Sequence, residues 1–349
     1  MIDELLASRH LPELFTGKSW PERRAELLEL LQDQIYGRTP AAPARVTGRI
    51  LRAEENAYAH KAVDESIEIR WDTPNGPFAL PVRFVYPRAA LPCPAFVFIN
   101  FRPDSPDRYW PVEELVDEGF AVARVYYEDV TADSAKQDGL AALYPADGPH
   151  AWGKIGMWAF ACSRVLDYLL TRPEVVDPAR VAVTGHSRLG KTALWCGAQD
   201  ERFSLVISND SGCSGAAITR GKAGETVRDI TGTFPYWFCP AYRQYVDREC
   251  DMPFDQHELI ALIAPRKAYV ASAQEDIWAD PQSEFLSCCA ASPAYEALGG
   301  RGFVHPDRLP EPNELLHEGD IGYHMRTGSH FFSRTDWLYQ TAFRKKHGV

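Results

Sequence analysis

The sequence predicts an α/β fold: a mostly parallel central sheet covered by helices on both faces, with antiparallel strands at its N-terminal side. Three observations predict it. From residue 95 onward, short apolar runs alternate with helix-patterned segments, as in a sheet buried on both sides. Before that, three β-rich segments lie close together, and Asn75-Gly76 between the last two is a strong hairpin signal. At 180–195 (RVAVTGHSRLGKTALW), strand, tight-turn and helix signals follow one another without a gap.

The elements follow in order. Residues 20–36 (WPERRAELLELLQDQIY) carry Leu27, Leu28, Leu31 and Ile35 near helical spacing, and Gly37 and Pro40 end the run, which predicts an N-terminal helix. Residues 46–52, 66–71 and 78–86 read as the antiparallel strands. AFVFIN at 95–100 is a buried strand, 112–118 a helix, and FAVARVY at 120–126 the next strand. Residues 127–150 are polar and Gly/Pro/Asp-containing, and read as a long surface loop. Residues 152–170 place Ile155, Trp158, Ala159, Cys162, Val165, Leu166, Leu169 and Leu170 on one helical face. After the 180–195 segment come a strand at 203–208, a loop-rich stretch at 212–250, a strand at 267–271 and a helix within 281–298. His324 and His330 then fall in a Gly-rich loop before a closing helix at about 335–346. No repeat or linker interrupts the chain, so one domain over 1–349 is expected, with its catalytic core at about 44–349.

Bulk properties narrow the function. The 349 residues are 45% hydrophobic and 24% charged, ordinary for a globular protein. A formal net charge of −11 argues against nucleic acid or an anionic membrane as the main partner. The N-terminus, MIDELLASRHLPELF, lacks the basic and apolar regions of a signal peptide. A cytoplasmic protein is expected as written, and a secreted or periplasmic one if the chain is a processed form. The eight cysteines form no C-x-x-C pair, and Cys162 and Cys196 are expected as buried free thiols. No metal or other cofactor is needed, because no histidine pair has ligand spacing.

The 180–195 segment carries the chemistry. Val181-Ala182-Val183-Thr184 is a β-branched run, Gly185 permits a sharp turn, and Ser187 sits at its apex before a helix. That is the layout of a nucleophile elbow, in which the following helix offers N–H groups to a developing oxyanion. The same residues also spell G-x-x-x-x-G-K-T, a phosphate-binding loop. Locally, both readings stand. A serine hydrolase of this type requires an acid and then a histidine later in the chain, and Asp210, Asp276 and His330 supply them in order. The nucleotide-binding reading meets fewer demands: its loop would follow about five strands, and Ser208-Asn209 break the apolar run expected before its Asp.

Here the chain resembles a known family. G-x-S-R-x-G-K is similar to the nucleophile motif of the glucuronoyl esterases, carbohydrate esterase family 15. Further matches are Asp210-Ser211-Gly212-Cys213-Ser214-Gly215, WGKIGMWAFACSRVLDYL at 152–169, DQHELIALIAPR at 255–266 and EDIWADP at 275–281. The resemblance runs from about Trp20 to Trp337 and looks like the bacterial branch. It implies an α/β-hydrolase three-layer sandwich acting without cofactor on esters between 4-O-methyl-glucuronic acid of xylan and lignin alcohols, or on small uronate esters; a monomer is expected. Ser187 would be the nucleophile and His330 the base, with Arg188 helping to hold the oxyanion. Lys191, Glu225 and Trp278 would contact the uronic acid sugar. The competing readings are a core position for Trp278 and a solvated loop position for Glu225. Asp210 is the preferred acid, with Asp276 as its partner or substitute. His324 is expected to be a structural neighbour. His186 stands where the fungal branch often has Cys, so the disulfide beside the nucleophile should be absent. Phe101-Arg102-Pro103-Asp104 departs from the family pattern on one side of the cleft. An acetyl-xylan or general carboxylesterase on the same scaffold is the alternative, and a nucleotide-binding protein the remote one.

Overall fold

The computed structural model describes residues 1–104 and 106–349. In chain order the strands are β1 (Val46–Asn56), β2 (Ala62–Thr73), β3 (Gly76–Pro87), β4 (Cys93–Asn100), β5 (Ala121–Tyr126), β6 (Val176–His186), β7 (Leu205–Asn209), β8 (Lys267–Ala273), β9 (Leu315–Leu316) and β10 (Ile321–Arg326). The α-helices are α1 (Ile2–Ala7), α2 (Trp20–Leu31), α3 (Ala57–His60), α4 (Val112–Asp117), α5 (Tyr127–Val130), α6 (Gly139–Leu143), α7 (Lys154–Leu169), α8 (Arg188–Gln199), α9 (Val227–Thr233), α10 (Gln256–Ala261), α11 (Pro281–Ala297) and α12 (Arg334–His347).

The strands form one sheet in the order β1-β2-β3-β5-β4-β6-β7-β8-β10-β9. From β5 to β10 the pairings are parallel, while β1, β2 and β3 form an antiparallel meander on one side. This is the α/β-hydrolase arrangement. The Asn75-Gly76 turn closes the β2–β3 hairpin, with Thr73 opposite Gly76. Alternation along β4 explains the two buried faces. Ala95, Val97 and Ile99 enter one core, and Phe96 and Phe98 enter the other beside Trp337 of α12.

Three expectations need correction, and the loop-rich 212–250 stretch needs one addition. Residues 127–150 are not simply a surface loop: they contain α5 and α6 and bury Tyr127, Val130, Leu140 and Tyr144. Helix α7 is buried almost all round, Lys154 and Arg164 included, because it lies under the sheet and against α8. The 212–250 stretch contains α9. His324 lies on strand β10, not in a loop. The Gly residues flanking that strand hide its pattern.

The predicted N-terminal helix is α2 continued by a π-helical turn, Gln32–Tyr36. Tyr36 stacks on Trp195 of α8, with centroids 4.5 Å apart and planes at 20°. Such a pair adds about 0.5–1.5 kcal/mol beyond its burial, and it ties the N-terminal segment to the helix that follows Ser187.

Candidate active site

The sheet delivers its chemistry at the C-terminal ends of four parallel strands. Ser187 follows β6, Asp210 follows β7, Asp276 lies three residues beyond β8, and His330 four beyond β10. Ligands of open α/β sheets bind at this edge.

Ser187 has φ +59° and ψ −128°, a conformation unfavourable for an L-residue and characteristic of an elbow. Its backbone N–H donates to Asn209 O at 2.8 Å, pinning the apex to the end of β7. Gly185 is required by close approach, since a Cβ there would lie 2.2 Å from Leu189 O. Only Ser187 lies between β6 and α8, so the residues from Gly185 to Gly190 do not form the open loop that the phosphate-binding reading needs.

His330 is half-exposed, and its Nδ1 lies 2.6 Å from Asp276 Oδ2. Burial pushes the Asp276 carboxyl up, but the hydrogen bond and charge of His330 outweigh this and hold it below its usual value. An ionised carboxylate only accepts, so Nδ1 carries the proton it donates, and a neutral ring then has its lone pair on Nε2. The Ser187 hydroxyl hydrogen-bonds to no described side chain, a looseness common in unliganded sites. Its neighbour His186 packs against His330, with ring centroids 4.5 Å apart. His186 Nδ1 lies 2.7 Å from Asn209 Oδ1, and burial together with the nearby His330 depresses its pKa to about 3. The residue that replaces the fungal cysteine is therefore a neutral ring against the histidine. All eight cysteines are free.

The preference for Asp210 is corrected by this geometry. Asp210 is fully buried, and burial, Asp336 and Glu284 raise its pKa well above the usual range. Its carboxylate reaches Arg326 NH2 at 3.4 Å and lies 3.8 Å from His186 Nδ1, while His330 bonds to Asp276. His186, Asp210 and His330 bring ligand-type atoms within 4.8 Å of one another. Nδ1 of each imidazole is already engaged, that of His186 with Asn209 and that of His330 with Asp276. His324 is buried, with Nδ1 at 2.8 Å from the Tyr269 hydroxyl and Nε2 at 2.9 Å from Asp336.

Arg188 opens α8, and its guanidinium pairs with Asp133 and lies 4.6 Å from the Trp237 ring centroid. Trp237 Nε1 donates to the other Asp133 oxygen at 2.7 Å. Asp133 and Trp237 escaped the sequence reading. The signals were their places, one in the long 127–150 segment and the other in the aromatic run 234–238.

Lys191, one turn along α8, is buried. It donates to Ser211 O and approaches Glu225 at 4.0 Å, and burial lowers its pKa. Glu225 is mostly buried beside it rather than solvated. The Glu225 N–H donates to Trp278 O at 3.0 Å, and Trp278 itself is 57% exposed, not part of the core. The backbones of these two loops touch. A Cβ on Gly224 (φ +68°) would sit 2.5 Å from the carbonyl oxygens of Ile277 and Trp278.

Comparison with known proteins fits this geometry. A family model described as glucuronyl esterase, fungi, matches residues 75–299. The chain belongs to the glucuronoyl esterase family. Among its relatives, carbohydrate esterase MZ0003 from an unknown prokaryotic organism is 45% identical over 246 residues, which are 68% of this chain and 56% of that protein. A 4-O-methyl-glucuronoyl methylesterase of Hypocrea jecorina is 32% identical over 291 residues, 79% of this chain and 58% of that protein. This chain thus spans a little over half the length of these two curated relatives. The solved glucuronoyl esterase from Solibacter usitatus superposes with a TM-score of 0.88 at 34% identity, covering 96% of this chain and 97% of that one.

Proposed function

We propose that the chain is a serine esterase that cleaves 4-O-methyl-glucuronoyl esters. The observation that carries this reading is the shared helix. Ser187 at the start of α8 and Lys191 one turn later place a nucleophile beside the Lys191–Glu225–Trp278 group. A lysine and a carboxylate can hydrogen-bond vicinal sugar hydroxyls, and an exposed indole can pack on the ring. The names of the relatives support the same substrate class.

The steps follow from the groups present. His330 Nε2 takes the Ser187 proton as Oγ attacks the ester carbonyl, and Asp276 holds the imidazolium that forms. The tetrahedral oxyanion lies against the N-terminus of α8 and the Arg188 side chain, where one fixed donor contributes about 3–4 kcal/mol. His330 then protonates the leaving alkoxide, the alcohol departs, and the acyl group remains on Ser187. Water activated by His330 releases the uronic acid and restores the serine.

Hydrolysis of benzyl glucuronate beside 4-nitrophenyl acetate, by wild type and Ser187→Ala, tests the reading. Uronate-ester cleavage abolished by the mutation is expected. Cleavage of the acetate alone would replace the proposal with a general carboxylesterase.

A further inference from the structure

Arg326 ends β10, and its side chain turns back beneath the loop that carries His330. NH1 donates to Thr327 O at 3.1 Å, and NH2 donates to Ser329 O at 3.0 Å and to Phe331 O. Ser329 and Phe331 are the residues on either side of the histidine. The guanidinium is itself fixed. Nε donates to both oxygens of Asp336, at 2.8 and 3.0 Å, and NH2 reaches Asp210 at 3.4 Å. Asp336 cannot drift, because it also accepts from the Ser333 N–H and hydroxyl, each at 2.7 Å, and bonds to His324. The Arg326 side chain is 7% exposed, so water does not replace these contacts.

The facing loop, which carries Asp276, is joined to this one by the Glu275 N–H donating to Gly328 O at 3.0 Å. One side of the His330–Asp276 bond is therefore set by a backbone bridge and the other by a single planar fork. A guanidinium holds several carbonyls at spacings fixed by its own covalent geometry, which an ammonium cannot do.

We propose that Arg326 is the positioning residue of His330, with Asp336 as its counter-charge and Asp210 as an acceptor at its far edge. Asp210 then acts on the position of the histidine through Arg326 rather than by a hydrogen bond of its own. The inference rests on Ser187 and His330 forming the nucleophile–base pair, and the test separates it from the choice of ester.

The test is the rate at which a fluorophosphonate probe labels Ser187, which needs His330 but no particular substrate. Arg326→Lys keeps the charge and loses the fork. Labelling is expected to slow at least 30-fold, with kcat on benzyl glucuronate falling in parallel and KM changing less than threefold. A folded Arg326→Lys that labels within threefold of wild type would overturn the proposal. Should that variant fail to fold, Asp336→Asn removes the counter-charge and one of the two oxygens that accept from Arg326 Nε and is expected to slow labelling about tenfold, and wild-type labelling there overturns it equally. A wild type that labels at Ser187 but leaves benzyl glucuronate intact refutes the substrate reading alone, and one that does not label removes both.

Discussion

The choice of acid is the sharpest test of the site. Asp276→Asn replaces an acceptor by an amide at 2.6 Å from His330 Nδ1. Two effects add. The amide N–H can donate to Nδ1, which moves the proton to Nε2 and leaves the ring unable to accept from Ser187. The imidazolium formed during attack also loses a charge about 4 Å away, worth about 4 kcal/mol at the effective dielectric of a partly buried pair. Such a loss corresponds to about a thousandfold in kcat. Asp210→Asn should behave otherwise. Asp210 makes no hydrogen bond to His330, so what the amide weakens is a 3.4 Å contact to Arg326. A fall of less than about tenfold is expected for such a long, indirect contact. Steady-state kcat and KM on benzyl glucuronate for the two variants, with melting curves to establish folding, decide the matter. A folded Asp210→Asn that loses as much kcat as Asp276→Asn would refute the assignment.

Three further outcomes are expected. Trp278→Ala should change stability by no more than about 0.5 kcal/mol, because the residue is exposed, while KM for the uronate ester rises and hydrolysis of 4-nitrophenyl acetate is unchanged. Asp336 is held at about 2, because contacts from His324, Arg326 and Ser333 overcome the upward push of burial. A depressed carboxyl stabilises the fold above its unfolded value and ceases to do so as pH falls through its folded value. Asp336→Asn should therefore lose about 2 kcal/mol at pH 7 in denaturant melts, with the gap closing between about pH 4 and pH 2. A thiol reagent should meet one fast cysteine in the native protein, the exposed Cys250, and all eight after unfolding. Fewer than eight would reveal a disulfide.

What the sequence made legible was local. The β6–Ser187–α8 elbow is encoded by a β-branched run, a glycine and a helix within one stretch, and β4 and β8 are apolar runs long enough to speak for themselves. The acid was not legible, because Asp210 and Asp276 both follow strand ends and only the path of the loop after β8 brings one of them to His330. Nor was Asp133, whose partner Arg188 lies 55 residues away and whose own neighbourhood reads as polar loop. The all-round burial of α7 was hidden for another reason. Lys154 and Arg164 look like a solvent face until the segments that cover them are folded, and Lys154 then donates to Thr131 Oγ1 and Lys136 O.

The contact at Gly224 bears on how such a site can diverge. The segment carrying Glu225 and the one carrying Trp278 cross with no room for even one methyl group between their backbones. Neither can change length or path alone. They pack as one unit, and a chimera with a crossover between residues 225 and 278 would set a loop of one parent against a loop of the other. Exchange of sugar specificity between relatives should therefore succeed when both segments are transplanted together, and stall when either travels by itself.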